Sequence, residues 1–127
     1  MKDFKKYYII HTPPEMLYLA LTNPTIIKLW SGEDAEMSTA INSEFSLWSG
    51  NICGKNVAFE ENKKIVQEWY FGEQEPASIV TILLHAHTKG TSVELRHINI
   101  PDEVYDEMVE GWNGIYFGAL QDFYEEG

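Results

Sequence analysis

Residues 101–126 read PDEVYDEMVEGWNGIYFGALQDFYEE, and their spacing predicts one long helix with a crowded apolar side. Val104, Met108, Trp112, Ile115, Ala119 and Phe123 recur every three or four residues, which stacks them along one face at about 100° per residue. Gly111, Gly114 and Gly118 sit at the margin of that face. A glycine inside a helix costs about 1 kcal/mol relative to alanine, so three at this spacing imply that the helix needs room beside it, for packed backbone or for a cavity.

What precedes the helix supplies its partner. Phe4 to Ile10 is rich in aromatic and β-branched residues and predicts a first strand. Thr12-Pro13-Pro14-Glu15 then reads as a helix start, with Thr12 as cap and Glu15 completing a capping box, and the helix runs to about Thr22. Asn23-Pro24 repeats the signal for a second short helix that buries Ile26, Ile27 and Trp30 and stops near Gly32. From Ala35 to Ile100 short strand-type runs alternate with turn residues, giving strands near 35–40, 43–48, 51–60, 63–71, 78–87 and 91–100. Tight turns between them imply an antiparallel meander. With the first strand this makes a sheet of about seven strands, enough to curl. Alternation puts Val80, Ile82, Leu84 and Ala86, with Val93, Leu95 and His97, toward the terminal helix, and leaves Thr81, His85, His87, Glu94 and Arg96 outside.

Composition bounds the function. A chain of 127 residues fits one domain, residues 1–127, able to bury a core without metals or disulfides. The apolar fraction of 44% and aromatic content of 13% are ample for packing and argue against disorder. Nine basic against twenty acidic residues give a net charge of −11, which repels phosphate backbones and anionic headgroups, so neither nucleic acid nor a membrane is an expected partner. Cys53 stands alone, with no disulfide framework or paired-cysteine zinc site. The charged start, Met1 to Lys6, has no apolar signal core, and no apolar run is long enough to span a bilayer. A cytoplasmic protein is expected.

The order of strand, two short helices, antiparallel strands and long terminal helix is similar to the helix-grip fold of the START and birch-pollen-allergen-like superfamily (SRPBCC). More narrowly, the residues resemble the bacterial branch of the Aha type, the activators of the ninety-kilodalton heat-shock-protein ATPase. The matching stretches are Leu21-Thr22-Asn23-Pro24 with Trp30, Glu44-Phe45 with Gly50 and Ile52 to Gly54, Ile65 to Trp69, Gly90-Thr91 with Val93, Leu95 and His97, and Gly111-Trp112. The resemblance implies an α+β domain whose curved sheet wraps on the C-terminal helix, with a hydrophobic cavity between them. The superfamily includes lipid and hormone carriers, polyketide cyclases and co-chaperone domains, so the fold leaves the function open. A heat-shock chaperone is the partner that the Aha resemblance implies.

The residues themselves favour a binding module over an enzyme. Each tryptophan offers a broad apolar wall and one N–H to orient a polar tail, or simply packs the core. His85 and His87, two apart on a strand, have a chelating spacing but no third ligand nearby, so solvated histidines and no metal are expected. His97 faces inward and must find a hydrogen-bond partner, as a satisfied core histidine or as a catalytic one. Glu44, Glu60, Glu68 and Glu94 are spread over different strands, and no catalytic constellation or phosphate loop is visible. The acidic start of the last helix, Asp102, Glu103, Asp106 and Glu107, suits the helix dipole and a solvated face. The expected function is uptake of a small apolar or amphipathic ligand, lipid-like or aromatic, with no cofactor. Its expected lining is Trp30, Phe45, Trp48, Trp69, Leu84, His97, Trp112, Ile115 and Tyr116. The alternatives are a co-chaperone-like regulator of a chaperone ATPase and a small cyclase-type enzyme using the same cavity.

Overall fold

The computed structural model describes residues 1–125. Its strands are β1 (Lys2–Ile10), β2 (Glu44–Leu47), β3 (Ile52–Glu60), β4 (Lys64–Trp69), β5 (Ser78–His87) and β6 (Gly90–Ile100). They form one antiparallel sheet in the order β1-β6-β5-β4-β3-β2. Six strands form instead of the expected seven, because residues 35–40 make only one isolated bridge, Glu36 to Ser46. That segment runs along β2 as a loop, and Ser38 bonds Ser43 and its own Ala40 amide in place of a ladder.

Two short helices follow β1. The first, α1 (Pro14–Thr22), starts without a side-chain cap. Thr12 is buried instead, its carbonyl accepting from the Thr91 hydroxyl at 2.7 Å, so the expected capping box gives way to a tie to β6. The second, α2 (Pro24–Ser31), is capped as its sequence implies: the Asn23 side chain accepts from the amides of Thr25 and Ile26, and Gly32 ends the helix at φ 78°. Trp30 donates its indole N–H to the Ala20 carbonyl at 2.8 Å, locking α2 onto α1.

The terminal segment is helical but not uniform. A 3-10 turn, Asp102–Val104, leads into α3 (Tyr105–Gly111). A π turn, Trp112–Tyr116, follows, and then α4 (Phe117–Phe123). Within the π turn the Phe117 N–H reaches the Trp112 carbonyl five residues back, which inserts one extra residue into the winding. The buried face therefore slips by one position. Trp112, Tyr116, Phe117 and Leu120 are buried, whereas Ile115 is 57% and Phe123 44% exposed. The expected stripe through Ile115, Ala119 and Phe123 is corrected to Tyr116, Leu120 and Tyr124. The expected end at Glu126 lies outside the described residues.

The core lies between this helix, α1, α2 and the concave side of the sheet. Tyr8, Ile10, Val80, Ile82, Leu84, Val93, Leu95 and His97 face it, as strand alternation predicts, but Ala86, expected with them, is exposed at the hairpin end of β5. Gly54 is needed here, since a Cβ would run into the Glu68 carbonyl and meet the Phe45 ring at 2.7 Å. On the convex side Glu94 is only 7% exposed. Arg96 Nε donates to it at 2.6 Å, His85 Nε2 lies 3.5 Å away and Lys5 Nζ 3.8 Å. Burial raises the Glu94 pKa, but the Arg96 hydrogen bond and the surrounding positive charge outweigh it and hold the carboxyl below its ordinary value.

Candidate functional site

A cleft of about 480 Å³ opens between the terminal helix and the β2–β3 end of the sheet, within the size range of small-molecule sites. Its walls are aromatic: Trp48, Trp69, Trp112 and Tyr116, joined by Ile52, Met108, Gly111 and Ile115, with Asn51 and Glu107 as the polar members. Trp69 and Trp112 stack at 4.7 Å with an interplanar angle of 28°, and Tyr116 packs on Trp112 at 4.7 Å.

Each indole of that stack is fixed from behind by a buried polar chain. Trp112 donates its N–H to His97 Nδ1 at 3.0 Å, and His97 Nε2 lies 2.8 Å from the Ser78 hydroxyl, which donates on to the Ile98 carbonyl at 3.1 Å. An indole only donates, so Nδ1 accepts and the ring proton sits on Nε2. His97 is fully buried, and desolvation pushes its pKa down to about 4. Trp69 donates to Gln67 at 3.0 Å, Gln67 donates to Asn56 at 3.1 Å, and Asn56 donates to the Ser38 carbonyl and the Ser43 hydroxyl. The second chain thus anchors the 38–43 loop to the cleft wall.

The nine expected lining residues divide into two groups. Trp48, Trp69, Trp112, Ile115 and Tyr116 come together around the cleft, while Trp30, Phe45, Leu84 and His97 do not line it. Trp30 lies behind Trp48 and Tyr116, at 6.0 and 5.2 Å. Phe45 packs under Trp69 at 6.4 Å, and His97 holds the Trp112 edge. Both ring nitrogens of His97 are engaged, one by Trp112 and one by Ser78.

Sequence reasoning passed over Gln67, Asn56 and Ser78, the polar residues that orient the walls. Strand alternation carried a signal for Gln67, which shares the parity of Ile65 and Trp69 and is buried with them. Asn51 and Ile52 had no such signal. They reach the cleft because the β2–β3 turn places Trp48, Ser49 and Gly50 in succession at φ 50°, 54° and 96°. A tryptophan in this left-handed region is uncommon, and the turn tips its ring toward Tyr116, at 5.6 Å.

His85 and His87 are exposed, and His87 Nδ1 accepts from the Lys89 amide. Among the described residues no group of three or more His, Cys, Asp or Glu is placed to hold a metal ion. No described helix is long and apolar enough to cross a membrane.

Residues 11–125 match the family described as Activator of Hsp90 ATPase homolog 1-like protein. The chain belongs to this family. It is 36% identical over 122 residues to an uncharacterized protein of Schizosaccharomyces pombe, a match that covers 96% of this chain and 34% of the relative. The chain therefore spans about a third of the length of that curated relative. Among solved structures it is similar to a Plasmodium falciparum protein described as an HSP90 activator, with TM-score 0.85 and 27% identity, covering 97% of this chain and 96% of the other. The Aha1 dimer of Colwellia psychrerythraea has TM-score 0.83 at 20% identity, covering 100% and 98%, a likeness of fold. The curved sheet gripping a C-terminal helix is thus the architecture of this family.

Proposed function

We propose that the domain binds a small apolar or amphipathic molecule in the cleft between its terminal helix and its sheet. The observation that carries this reading is the stacked Trp69–Trp112 pair, whose N–H groups are tied down behind it while the rings line a cleft of about 480 Å³. Walls held by such supporting hydrogen bonds keep their shape without a ligand, which lowers the ordering cost of binding. Titration with lipids, sterols and aromatic polyketides, followed by nuclear magnetic resonance, tests it. Binding shifts the indole signals of Trp48, Trp69 and Trp112, and silence toward every class would remove the reading.

A second reading is favoured by the family and by the Plasmodium falciparum likeness: the domain docks on a heat-shock chaperone of the Hsp90 class and alters its ATP turnover. Mixing the protein with its cognate chaperone and measuring ATP hydrolysis decides this, and unchanged turnover with no complex formed would discard it. The exposed, unpaired Cys53 suits a reducing, cytoplasmic compartment under either reading.

A further inference from the structure

The cleft has a polarity as well as a shape. The indole N–H groups of Trp69 and Trp112, the electropositive edges of those rings, point into Gln67 and His97. Little of the stacked pair itself is open, since Trp69 is 5% and Trp112 2% exposed and Phe117 stacks on Trp112 as well, so the pair offers a ligand no free N–H. Trp48, half-buried, is the ring that presents an electron-rich π surface to the cleft. No lysine, arginine or histidine lines the cleft, and its one charged lining residue is Glu107, which has no ion-pair partner among the described residues. The chain as a whole carries a charge of −11, which raises the local concentration of cations and lowers that of anions.

Resting on the reading of the cleft as a ligand site, we infer that it selects an organic cation: an aromatic or apolar body carrying an ammonium group. The body packs on Trp48 and the apolar lining of Ile52, Met108 and Ile115, and the ammonium takes up the Trp48 π face and the Glu107 carboxylate. An anionic ligand finds neither a donor from the stacked indoles nor a cation, and a neutral one uses the walls alone.

Three probes with one ring system separate charge from shape: (1-naphthylmethyl)trimethylammonium, 1-naphthylmethanol and 1-naphthaleneacetate. Their affinities are measured by the same indole-resolved titration. The cation is expected to bind about tenfold tighter than the alcohol, with the acetate weakest. In E107Q the advantage of the cation over the alcohol shrinks. E110Q, which removes the same charge from a carboxylate outside the cleft, serves as the control and keeps the advantage. Equal affinities, a preference for the acetate, or an E110Q effect as large as that of E107Q would overturn the cation assignment and leave the cleft reading intact. Failure of all three probes overturns the assignment too, and the wider titration with neutral lipids and sterols then decides separately whether the cleft binds anything.

Discussion

His97 is held neutral at the centre of the domain by its burial and by two fixed hydrogen bonds. Its folded pKa of about 4 lies below the ordinary value of 6.5. The unfolded chain therefore binds a proton at a higher pH than the native state does. Its contribution is fully present above pH 6.5, is lost as pH falls from there toward about 4, and levels off below. Across that window the loss amounts to about 3 kcal/mol. His97→Gln takes up no proton in this range, so urea denaturation of both proteins at several pH values should show a flatter profile for the variant. At pH 7 the variant should be less stable by about 1–3 kcal/mol, because the amide replaces only one of the two ring contacts and leaves a buried partner unmatched. Parallel pH profiles for the two proteins would refute this account. Inward parity made His97 visible in the sequence. Its partner Ser78 was not, because nothing local to a serine at the start of a strand records that a histidine nineteen positions on will turn a nitrogen toward it.

At the scale of the element, the π turn decides which residues of the terminal helix meet the sheet. Gly118 accommodates it: a Cβ there would collide with the Asn113 carbonyl, whereas a Cβ at Gly114 meets nothing within 4 Å. Gly114→Ala should raise stability by about 0.5–1 kcal/mol through helix propensity and reduced freedom of the unfolded chain. Gly118→Ala should lower stability, since backbone must shift to admit it. Denaturation midpoints of the two variants on opposite sides of the wild type are the expected result. The helix itself was legible in residues 101–126, and so were α2 with its Asn23 and Gly32 ends and the strand alternation of β5 and β6, because each signal is local. The slip from Ile115 to Tyr116 was not. An inserted residue changes the winding without changing the spacing of the letters, and the glycines pointed to spare room without saying what needed it. Glu107 belonged to a solvated face when read by helix-dipole logic, and only the packing of α3 beside Trp48 and Trp112 brings it to the cleft.

For the whole molecule, charge is the dominant imbalance. Twenty acidic residues face nine basic ones. In the terminal helix Glu103, Asp106, Glu107 and Glu110 follow one another at three- and four-residue spacings, where like charges repel. Asp102 is the paired member, bonded to the N-terminal amine at 2.9 Å. Raising ionic strength from about 0.01 M to about 0.3 M shortens the reach of that repulsion to within neighbouring side chains. The melting temperature should therefore climb by several degrees with sodium chloride, as read by circular dichroism, and a fall over this range would show that attractive pairs outweigh the excess charge. The sheet-and-helix architecture followed from the sequence because it depends on totals and periodicities spread over the chain. Which aromatics form the wall did not, since every tryptophan satisfies the same pattern.

The Trp69–Trp112 pair joins a strand to the terminal helix with indoles 4.7 Å apart. Transition dipoles at that separation couple, so the pair should produce a split band in the far-ultraviolet circular dichroism spectrum that neither ring produces alone. The domain thus carries its own optical gauge of the seam. Separation of helix from sheet, or insertion of a guest that prises the rings apart, would erase the couplet without any label, while loosening of the α1–α2 pair would leave it in place.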